Sequence, residues 1–315
     1  MMEKVLMMKP GENKVSFMSE GQKLAGLLYL PADYQKGEKR PAIVFIRPGT
    51  GVKEQTAGLY AKLLSEKGFV TLAFDPRGFG ESEGLVRLLE NPFSIADDAR
   101  NGVSYVSGLE GVDPRNVFQV GICMGAGYAV YATAFDPRIK ALATISPYLH
   151  MSELLYQGMG AEKIRADENF QGFGYVRQAD YGKTEPTMTV PVPPEGPALP
   201  IAVGMRTYYL NKDIEEKGFA SHANWVNQAA VTGNEYLAAF SAFHYSRYLN
   251  QVPFYMAVGK EAEAYPSAKD FFSKVTGPKT LKEFDTGHFE LYWMPEYTAP
   301  IVEDIAGHFN EHLVK

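Results

Sequence analysis

The chain has 315 residues, of which 45% are hydrophobic and 22% charged, and its formal net charge is −6. This acidic excess, with no basic run longer than Lys39-Arg40, argues against a nucleic-acid partner because it repels phosphate. A single cysteine excludes an intramolecular disulfide and suits a reducing compartment. The sequence shows neither a signal-peptide core nor an apolar run of about 18 residues, so we expect a cytoplasmic protein with no membrane partner.

The first half of the chain alternates strand-like and helix-like segments. An opening antiparallel pair is predicted by "KVSFMS" and "KLAGLLYLPAD", and buried strands are predicted by "PAIVFI", "FVTLAFD", "VFQVGI" and "IKALATIS". Helical spacing or composition lies between these strands at 59–68, at 97–106 and in "AGYAVYATA". Such alternation is typical of a mostly parallel, doubly wound sheet with helices on both faces.

The alternation stops for roughly a hundred residues in the second half of the chain. This segment is rich in Tyr and Phe, and its prolines between 186 and 200 predict an extended tether. The strands "VPFYMAVG" and "KTLKEFD", each followed by a helix, then resume the pattern. We therefore predict an α/β core domain made of residues 1–146 and 251–315, interrupted by a largely helical cap or lid of residues 147–250.

The pentapeptide "GICMG" places the only cysteine, Cys123, between a buried strand and a helix. A nucleophile on such a sharp turn needs a strained backbone, and side chains two residues before and after it would collide, which explains Gly121 and Gly125. The N-terminus of the following helix favours a thiolate over a thiol. A buried structural cysteine is the alternative, but strand, glycines and helix together favour a nucleophile.

The residues around this turn resemble the α/β-hydrolase superfamily, and specifically its dienelactone-hydrolase-like branch, in which cysteine replaces the usual serine. The similarity covers about residues 15–150 and 250–315. It rests on "RPGTGVKEQTAGLYAKLLSEKGFVTLAFDPRGFGES", "GICMGAGYA" and "DTGH". The resemblance implies an α/β-hydrolase fold, a catalytic triad, and a cap inserted before the last two strands.

The resemblance assigns the general base to His288, which follows the last strand and Gly287. It places the triad acid in the loop after "VPFYMAVG", which reads "KEAEAYP" and offers Glu261 and Glu263 but no aspartate. Many relatives carry the acid where this chain has Ala262, which is a departure from the family pattern. The alignment favours Glu263 over Glu261, and solvated loop charges are the alternative for both.

An oxyanion hole needs two backbone N–H donors aimed at the developing negative charge. The sharp turn at Cys123, which we call the elbow (residues 121–125), supplies the N–H of Met124 as one donor. The loop after "PAIVFI" offers the N–H of Thr50 as the second donor, with that of Gly49 as the runner-up. Arg47 begins this loop. Arg47 either binds a substrate carboxylate or pairs with an acid of the protein, and the sequence does not separate the two.

The insertion carries more aromatic side chains than a linker needs. Most belong to its own small core, but some are expected to line the roof of a pocket, and Tyr236, Phe240 and His244 are our candidates for substrate contact. An aromatic roof favours an apolar or aromatic acyl compound. The sequence shows no phosphate loop, metal-ligand cluster or dinucleotide fingerprint, so we expect a small-molecule substrate, no cofactor and no metal, and we leave a homodimer open.

Three functions are compatible with these residues. The first is a hydrolase of an ester, lactone or thioester that uses Cys123, His288 and Glu263 and forms an acyl-thioester intermediate. The second is a non-hydrolytic acyltransferase, cyclase or carbon–carbon bond-forming or -cleaving enzyme with the same pocket, since a sealed cap excludes water. The third is an inactive binding protein. Because the nucleophile and the base are both present, we expect the hydrolase.

Overall fold

A mixed eight-stranded sheet forms the centre of the computed structural model, which describes residues 8–150, 166, 168–196, 200–211 and 222–315. The strands in chain order are β1 (Gly11–Ser19), β2 (Gln22–Leu30), β3 (Arg40–Ile46), β4 (Val70–Phe74), β5 (Val112–Ile122), β6 (Ile139–Ile145), β7 (Met188–Thr189), β8 (Ala229–Ala230), β9 (Phe254–Gly259) and β10 (Lys279–Phe284).

The order of strands across the large sheet is β1-β2-β4-β3-β5-β6-β9-β10. Strand β2 is antiparallel to both β1 and β4, and every other neighbouring pair is parallel. The predicted opening hairpin and the predicted parallel sheet are therefore confirmed. Because parallel strands share a direction, the segments that follow β3, β5, β6, β9 and β10 all emerge at one edge of the sheet.

Helices cover the sheet, as the alternating pattern predicts. The described helices are α1 (Thr56–Ser65), α2 (Pro92–Ser107), α3 (Gly125–Phe135), α4 (Glu168–Asp180), α5 (Pro200–Leu210), α6 (Gly233–Ala239), α7 (Tyr265–Lys274) and α8 (Pro295–Glu311), with 3-10 turns at Ala242–Leu249 and Glu290–Tyr292. Helix α2 begins five residues before the predicted start, because the Asn91 side chain caps the N–H groups of Phe93 and Ser94 and Pro92 fits the first turn.

The segment between β6 and β9 is a true insertion with respect to the sheet. Its described strands, β7 and β8, pair with each other and not with the eight-stranded sheet. The extended tether that we predicted from the prolines between 186 and 200 does not include Pro200, because Pro200 begins helix α5. The fixed φ of proline suits the first position of a helix. Helix α6 does not continue into the 3-10 turn that follows it, because Phe240 between them is extended.

The core of the sheet is apolar on both faces. Every residue of β4 and of β9 is buried, as are the last five residues of β3, which explains why these strands read as continuous apolar runs. Within the described ranges, no helix is long and apolar enough to cross a bilayer.

Candidate active site

Cys123 lies at the turn between β5 and α3, with a backbone φ of 57°. A side chain on either flanking glycine would meet backbone: a Cβ on Gly121 would lie 2.5 Å from the carbonyl oxygen of Gly125, and one on Gly125 would lie 2.4 Å from that of Arg47. The crowding inferred from the sequence is thus present. A left-handed conformation at a non-glycine residue stores strain, and here it lifts the sulfur clear of the strand.

Two backbone N–H groups, those of Met124 and Gly49, lie next to the Cys123 sulfur and favour its thiolate form. The predicted second donor, Thr50, faces elsewhere: its N–H donates to Glu90 Oε2 at 3.0 Å. The N–H of the runner-up Gly49 lies on the sulfur side instead, and the oxyanion-hole assignment stays a prediction. Gly49 passes so close to the elbow that a Cβ there would lie 2.2 Å from the sulfur of Met124, which excludes a side chain.

His288 lies in the segment after β10 and is buried, with both ring nitrogens hydrogen-bonded. Its Nδ1 lies 3.0 Å from Ser146 Oγ, and its Nε2 lies 2.9 Å from the Tyr292 hydroxyl. The Ser146 hydroxyl proton is donated to the backbone oxygen of His288 at 2.8 Å, so Ser146 Oγ accepts from Nδ1–H. The network therefore assigns the proton to Nδ1 and leaves Nε2 as an acceptor.

Neither predicted acid reaches this imidazole. Glu261 and Glu263 are both exposed in the loop after β9, and the Nδ1 position is taken by Ser146 at the end of β6. Ser146 has a φ of 47°, a second left-handed non-glycine residue at the site. Among the described residues no carboxylate is hydrogen-bonded to this imidazole, and the assignment of Glu263 as the triad acid stays a prediction.

Burial keeps both reacting groups neutral. It raises the pKa of the Cys123 thiol to about 11, an effect opposed by the Tyr292 hydroxyl and by the N–H groups of Met124 and Gly49, which stabilise the thiolate form. Burial also lowers the pKa of His288 to about 3. The resting site accordingly holds a thiol and a neutral imidazole with a tyrosine hydroxyl between them.

Arg47 is fully buried and forms an ion pair within the protein. Its Nη1 donates to both carboxylate oxygens of Glu90, at 2.9 and 3.0 Å, and its guanidinium carbon lies 4.1 Å from the ring centroid of Phe79. Glu90 also accepts from the Tyr128 hydroxyl of α3 at 3.1 Å. The pair therefore ties the β3 loop, which carries Gly49, to the helix of the elbow.

Comparisons with known proteins show the family to which this fold belongs. A family model described as "Serine aminopeptidase, S33" matches residues 38–168. The crystal structure of hypothetical protein PA2218 from Pseudomonas aeruginosa is 30% identical to the chain, covers 98% of it over 95% of its own length, and superposes with a TM-score of 0.87. The chain belongs to the α/β-hydrolase superfamily.

Two fungal relatives of this α/β-hydrolase have names that describe acyl chemistry. Acyltransferase drtE of Aspergillus calidoustus is 29% identical, and the match covers 85% of this chain and 86% of the relative. Thiohydrolase aneE of Aspergillus aculeatus is 26% identical, over 89% of this chain and 87% of the relative. The similarity in both cases extends through the insertion and is not confined to the elbow.

The described contacts of the three residues that we predicted to contact substrate are with other parts of the protein. Phe240 packs edge-on against Tyr128 and so against helix α3. Tyr236 lies next to Arg177 of α4. His244 is exposed and contacts the ring of Tyr245. Their roles in substrate binding stay predictions.

Other aromatic residues of the insertion do reach the site. The ring centroid of Tyr208 lies 5.1 Å from that of Tyr292, and the Tyr208 hydroxyl accepts from the N–H of Thr56 at the start of α1. Tyr209 stacks on Trp225 with 5.0 Å between centroids. The ring of Tyr148, just after β6, lies 5.1 Å from that of His288. These contacts place the insertion over the histidine segment.

Three carboxylates among the described residues lie close enough together to hold a metal ion. Glu54, Asp75 and Glu81 lie close together, but Lys53 Nζ donates to all three, at 2.7, 2.8 and 2.6 Å. The ammonium group occupies the centre of this cluster and offsets part of its negative charge, so the cluster ties the loop before α1 to the segment after β4.

Sequence reasoning missed Ser146, Tyr292 and Glu90. Ser146 is the polar residue that ends the apolar run "IKALATIS", which is a weak signal. Tyr292 lies four residues after His288, a spacing that places two side chains on one face of a helical turn. Glu90 offers no signal at all, since it lies in a loop and meets Arg47 only through the fold.

Proposed function

We propose that the protein is a cysteine-dependent hydrolase of an ester, lactone or thioester with an apolar or aromatic acyl group, in the dienelactone-hydrolase-like branch. The observation that carries the proposal is Cys123 at the elbow, with the N–H groups of Met124 and Gly49 directed at its sulfur. The free thiol nucleophile also favours the reducing cytoplasm as its location. The names of the fungal relatives add weight to thioester and acyl chemistry.

In the proposed reaction the Cys123 sulfur adds to the acyl carbonyl. The oxyanion that forms accepts hydrogen bonds from Met124 and Gly49, and His288 holds the thiol proton and passes it to the leaving group. The carbon–leaving-group bond breaks and an acyl-thioester remains on Cys123. His288 then takes a proton from water, which attacks the thioester, releases the acid and restores the thiol.

Residues 147–250 act in this proposal as a cap that selects the substrate. Support comes from Tyr208 and Tyr209, which pack over the segment that carries His288. The Tyr148 hydroxyl and the Trp225 indole N–H are buried and have no hydrogen-bond partner among the described residues. Two unpaired donors in an aromatic setting favour an acyl chain that carries oxygen acceptors.

Acyl transfer to an acceptor other than water is the second candidate. It is favoured by the burial of Cys123, which is 9% exposed beneath aromatic side chains, because a water-excluding site protects a thioester. The relative named acyltransferase supports the same chemistry.

Turnover in heavy-oxygen water separates the two candidates. The N-acetylcysteamine thioester of hexanoate serves as the probe, with and without an added amine acceptor. Hydrolysis predicts one heavy oxygen in the released hexanoate, measured by mass spectrometry, and transfer predicts an amide product that contains none. Turnover that survives in Cys123→Ala would refute both.

A further inference from the structure

The nucleophile and the base of this site do not meet each other. The ring nitrogens of His288 are hydrogen-bonded to Ser146 and Tyr292, and the sulfur of Cys123 lies next to the Tyr292 hydroxyl and the N–H groups of Met124 and Gly49. The Tyr292 hydroxyl thus hydrogen-bonds to the imidazole and adjoins the sulfur. A direct thiol–imidazole proton transfer has no hydrogen bond to follow here.

The direction of the hydrogen bonds is set by donor counting. Ser146 donates to the backbone oxygen of His288 and therefore accepts from Nδ1–H, so Nε2 accepts the single proton of the Tyr292 hydroxyl. The Tyr292 oxygen is left with its lone pairs facing the Cys123 thiol, whose proton is the one available donor on that side. The chain of donors therefore runs from the sulfur to the tyrosine oxygen and on to Nε2.

We propose that Tyr292 is a catalytic residue that relays the thiol proton of Cys123 to His288. The proposal rests on the cysteine mechanism above and adds a residue to it. The S–H bond breaks as the proton joins the Tyr292 oxygen, and the original phenolic proton moves to Nε2. A thiolate, an imidazolium and a neutral tyrosine result, so no external acid, base or oxidant is needed.

The relay also lowers the free-energy cost of forming charges in a buried site. Charging either Cys123 or His288 alone in this apolar setting is unfavourable. A proton that moves from one to the other leaves the net charge of the site unchanged and creates two opposite charges that attract each other strongly in a low dielectric. After the transfer, Tyr292 donates the proton it received back to the thiolate as a hydrogen bond, which stabilises the nucleophile.

Tyr292 is held firmly enough to serve this role. Its backbone oxygen accepts from Thr56 Oγ1 at 2.9 Å, and the preceding carbonyl, of Leu291, accepts from the Tyr60 hydroxyl at 2.6 Å. Its ring packs edge-on against Tyr208 and tilted against Phe289. The hydroxyl is therefore fixed between sulfur and imidazole by the first helix and the insertion together.

Alkylation of the only thiol by iodoacetamide tests the relay without requiring a substrate. We compare the rate constant from pH 6 to pH 10 in the wild type, Tyr292→Phe, His288→Ala and the double variant. Tyr255→Phe is the matched control, because Tyr255 is also buried but its hydroxyl donates to Asp304 away from the site. Circular dichroism and thermal unfolding establish that each variant is folded.

The relay predicts a roughly tenfold or greater loss of alkylation rate near pH 7 in Tyr292→Phe, an equal loss in His288→Ala, and no further loss in the double variant, since the two residues act in one chain. The Tyr255→Phe rate stays that of the wild type. Faster alkylation of Tyr292→Phe would show that the tyrosine only blocks the thiol. Unchanged alkylation, or losses that add in the double variant, would equally overturn the relay.

The relay and the proposed function fail in different ways. A wild type that forms no acyl-thioester with the hexanoate probe refutes the cysteine hydrolase, whatever the alkylation rates are. An acyl-thioester that forms as fast in Tyr292→Phe as in the wild type refutes the relay and leaves the hydrolase intact. A solvent isotope effect that depends on two protons in the wild type and on one in Tyr292→Phe is the signature that a merely structural tyrosine does not give.

Discussion

Cys123 is held by backbone, whereas His288 is held by side chains. On the nucleophile side, the left-handed turn, two glycines in backbone contact and two converging N–H groups set the position of the sulfur. On the base side, two hydroxyl groups set the position of the imidazole, one from the distant Ser146 and one from Tyr292, four residues after His288. The first arrangement tolerates few changes to its local sequence, and the second depends on where separate strands end.

Removal of the sulfur is the change with the largest expected effect on the nucleophile side. Cys123→Ala keeps the turn but removes the attacking atom, so we expect kcat with the hexanoate thioester to fall by about four orders of magnitude. Steady-state turnover measures this loss. A Cys123→Ala protein that retains a tenth of the wild-type rate would move the chemistry to another residue.

Gly121→Ala tests how strictly the elbow is built from backbone. The added methyl group would lie 2.5 Å from the oxygen of Gly125, so we expect the free energy of unfolding to fall by about 2–4 kcal/mol in urea titrations. Gly307→Ala is the matched control, because no atom lies within 4 Å of a Cβ there and the residue is in α8. That variant should be about 0.5–1 kcal/mol more stable. Equal effects of the two substitutions would contradict the crowded elbow.

On the base side, Ser146→Ala removes the acceptor of His288 Nδ1–H. An unpaired buried donor costs about 1–3 kcal/mol, so we expect kcat to fall by roughly 10- to 100-fold. Glu263→Gln and Glu261→Gln should each cost less than Ser146→Ala, because both carboxylates are exposed and neither contacts the ring. Kinetic constants of the three variants rank them. A larger loss in Glu263→Gln would restore the carboxylate triad.

The buried neutral histidine predicts an acid-sensitive contribution to stability. The pKa of His288 is lowered to about 3, whereas in the unfolded chain it is about 6.5, so between these values the unfolded state binds a proton that the folded state does not. The contribution is present above about pH 6.5 and is lost by about 1.4 kcal/mol per unit as pH falls toward 3. Urea unfolding of the wild type and His288→Gln at pH 7, 6, 5 and 4 isolates it. A stability difference that does not change with pH would contradict a buried, neutral imidazole.

The same contrast explains what the sequence could predict. The elbow is local, so "GICMG" and the strand and helix beside it are enough to place Cys123, and the strand alternation predicts the sheet. His288 follows the last strand and was equally accessible to prediction. The N–H of Thr50 donates in this structure to Glu90, forty residues away, a contact that no local pattern indicates, and the role of Thr50 in the oxyanion hole stays a prediction.

Longer-range partners have no comparable local signal. Ser146 reaches His288 from the end of another strand, so no spacing in the sequence indicates that these two residues meet, whereas Tyr292 is only four residues from His288. We expected the triad acid in the loop after β9, but Glu261 and Glu263 of that loop are exposed. The hydrogen bond to His288 Nδ1 is made instead by Ser146, at the end of the neighbouring strand β6. The contacts of Phe240 and Tyr236 likewise depend on how the insertion packs, which periodicity does not determine.

The most direct test of the account is capture of the acyl group on the sulfur. The wild type and Cys123→Ser are mixed with the hexanoate thioester, quenched in acid within milliseconds to seconds, and measured by intact-protein and peptide mass spectrometry. The account predicts a hexanoyl adduct on the wild-type peptide that contains Cys123, formed before steady state and discharged by hydroxylamine. Turnover of the probe by the wild type with no adduct at Cys123 at any time would contradict it.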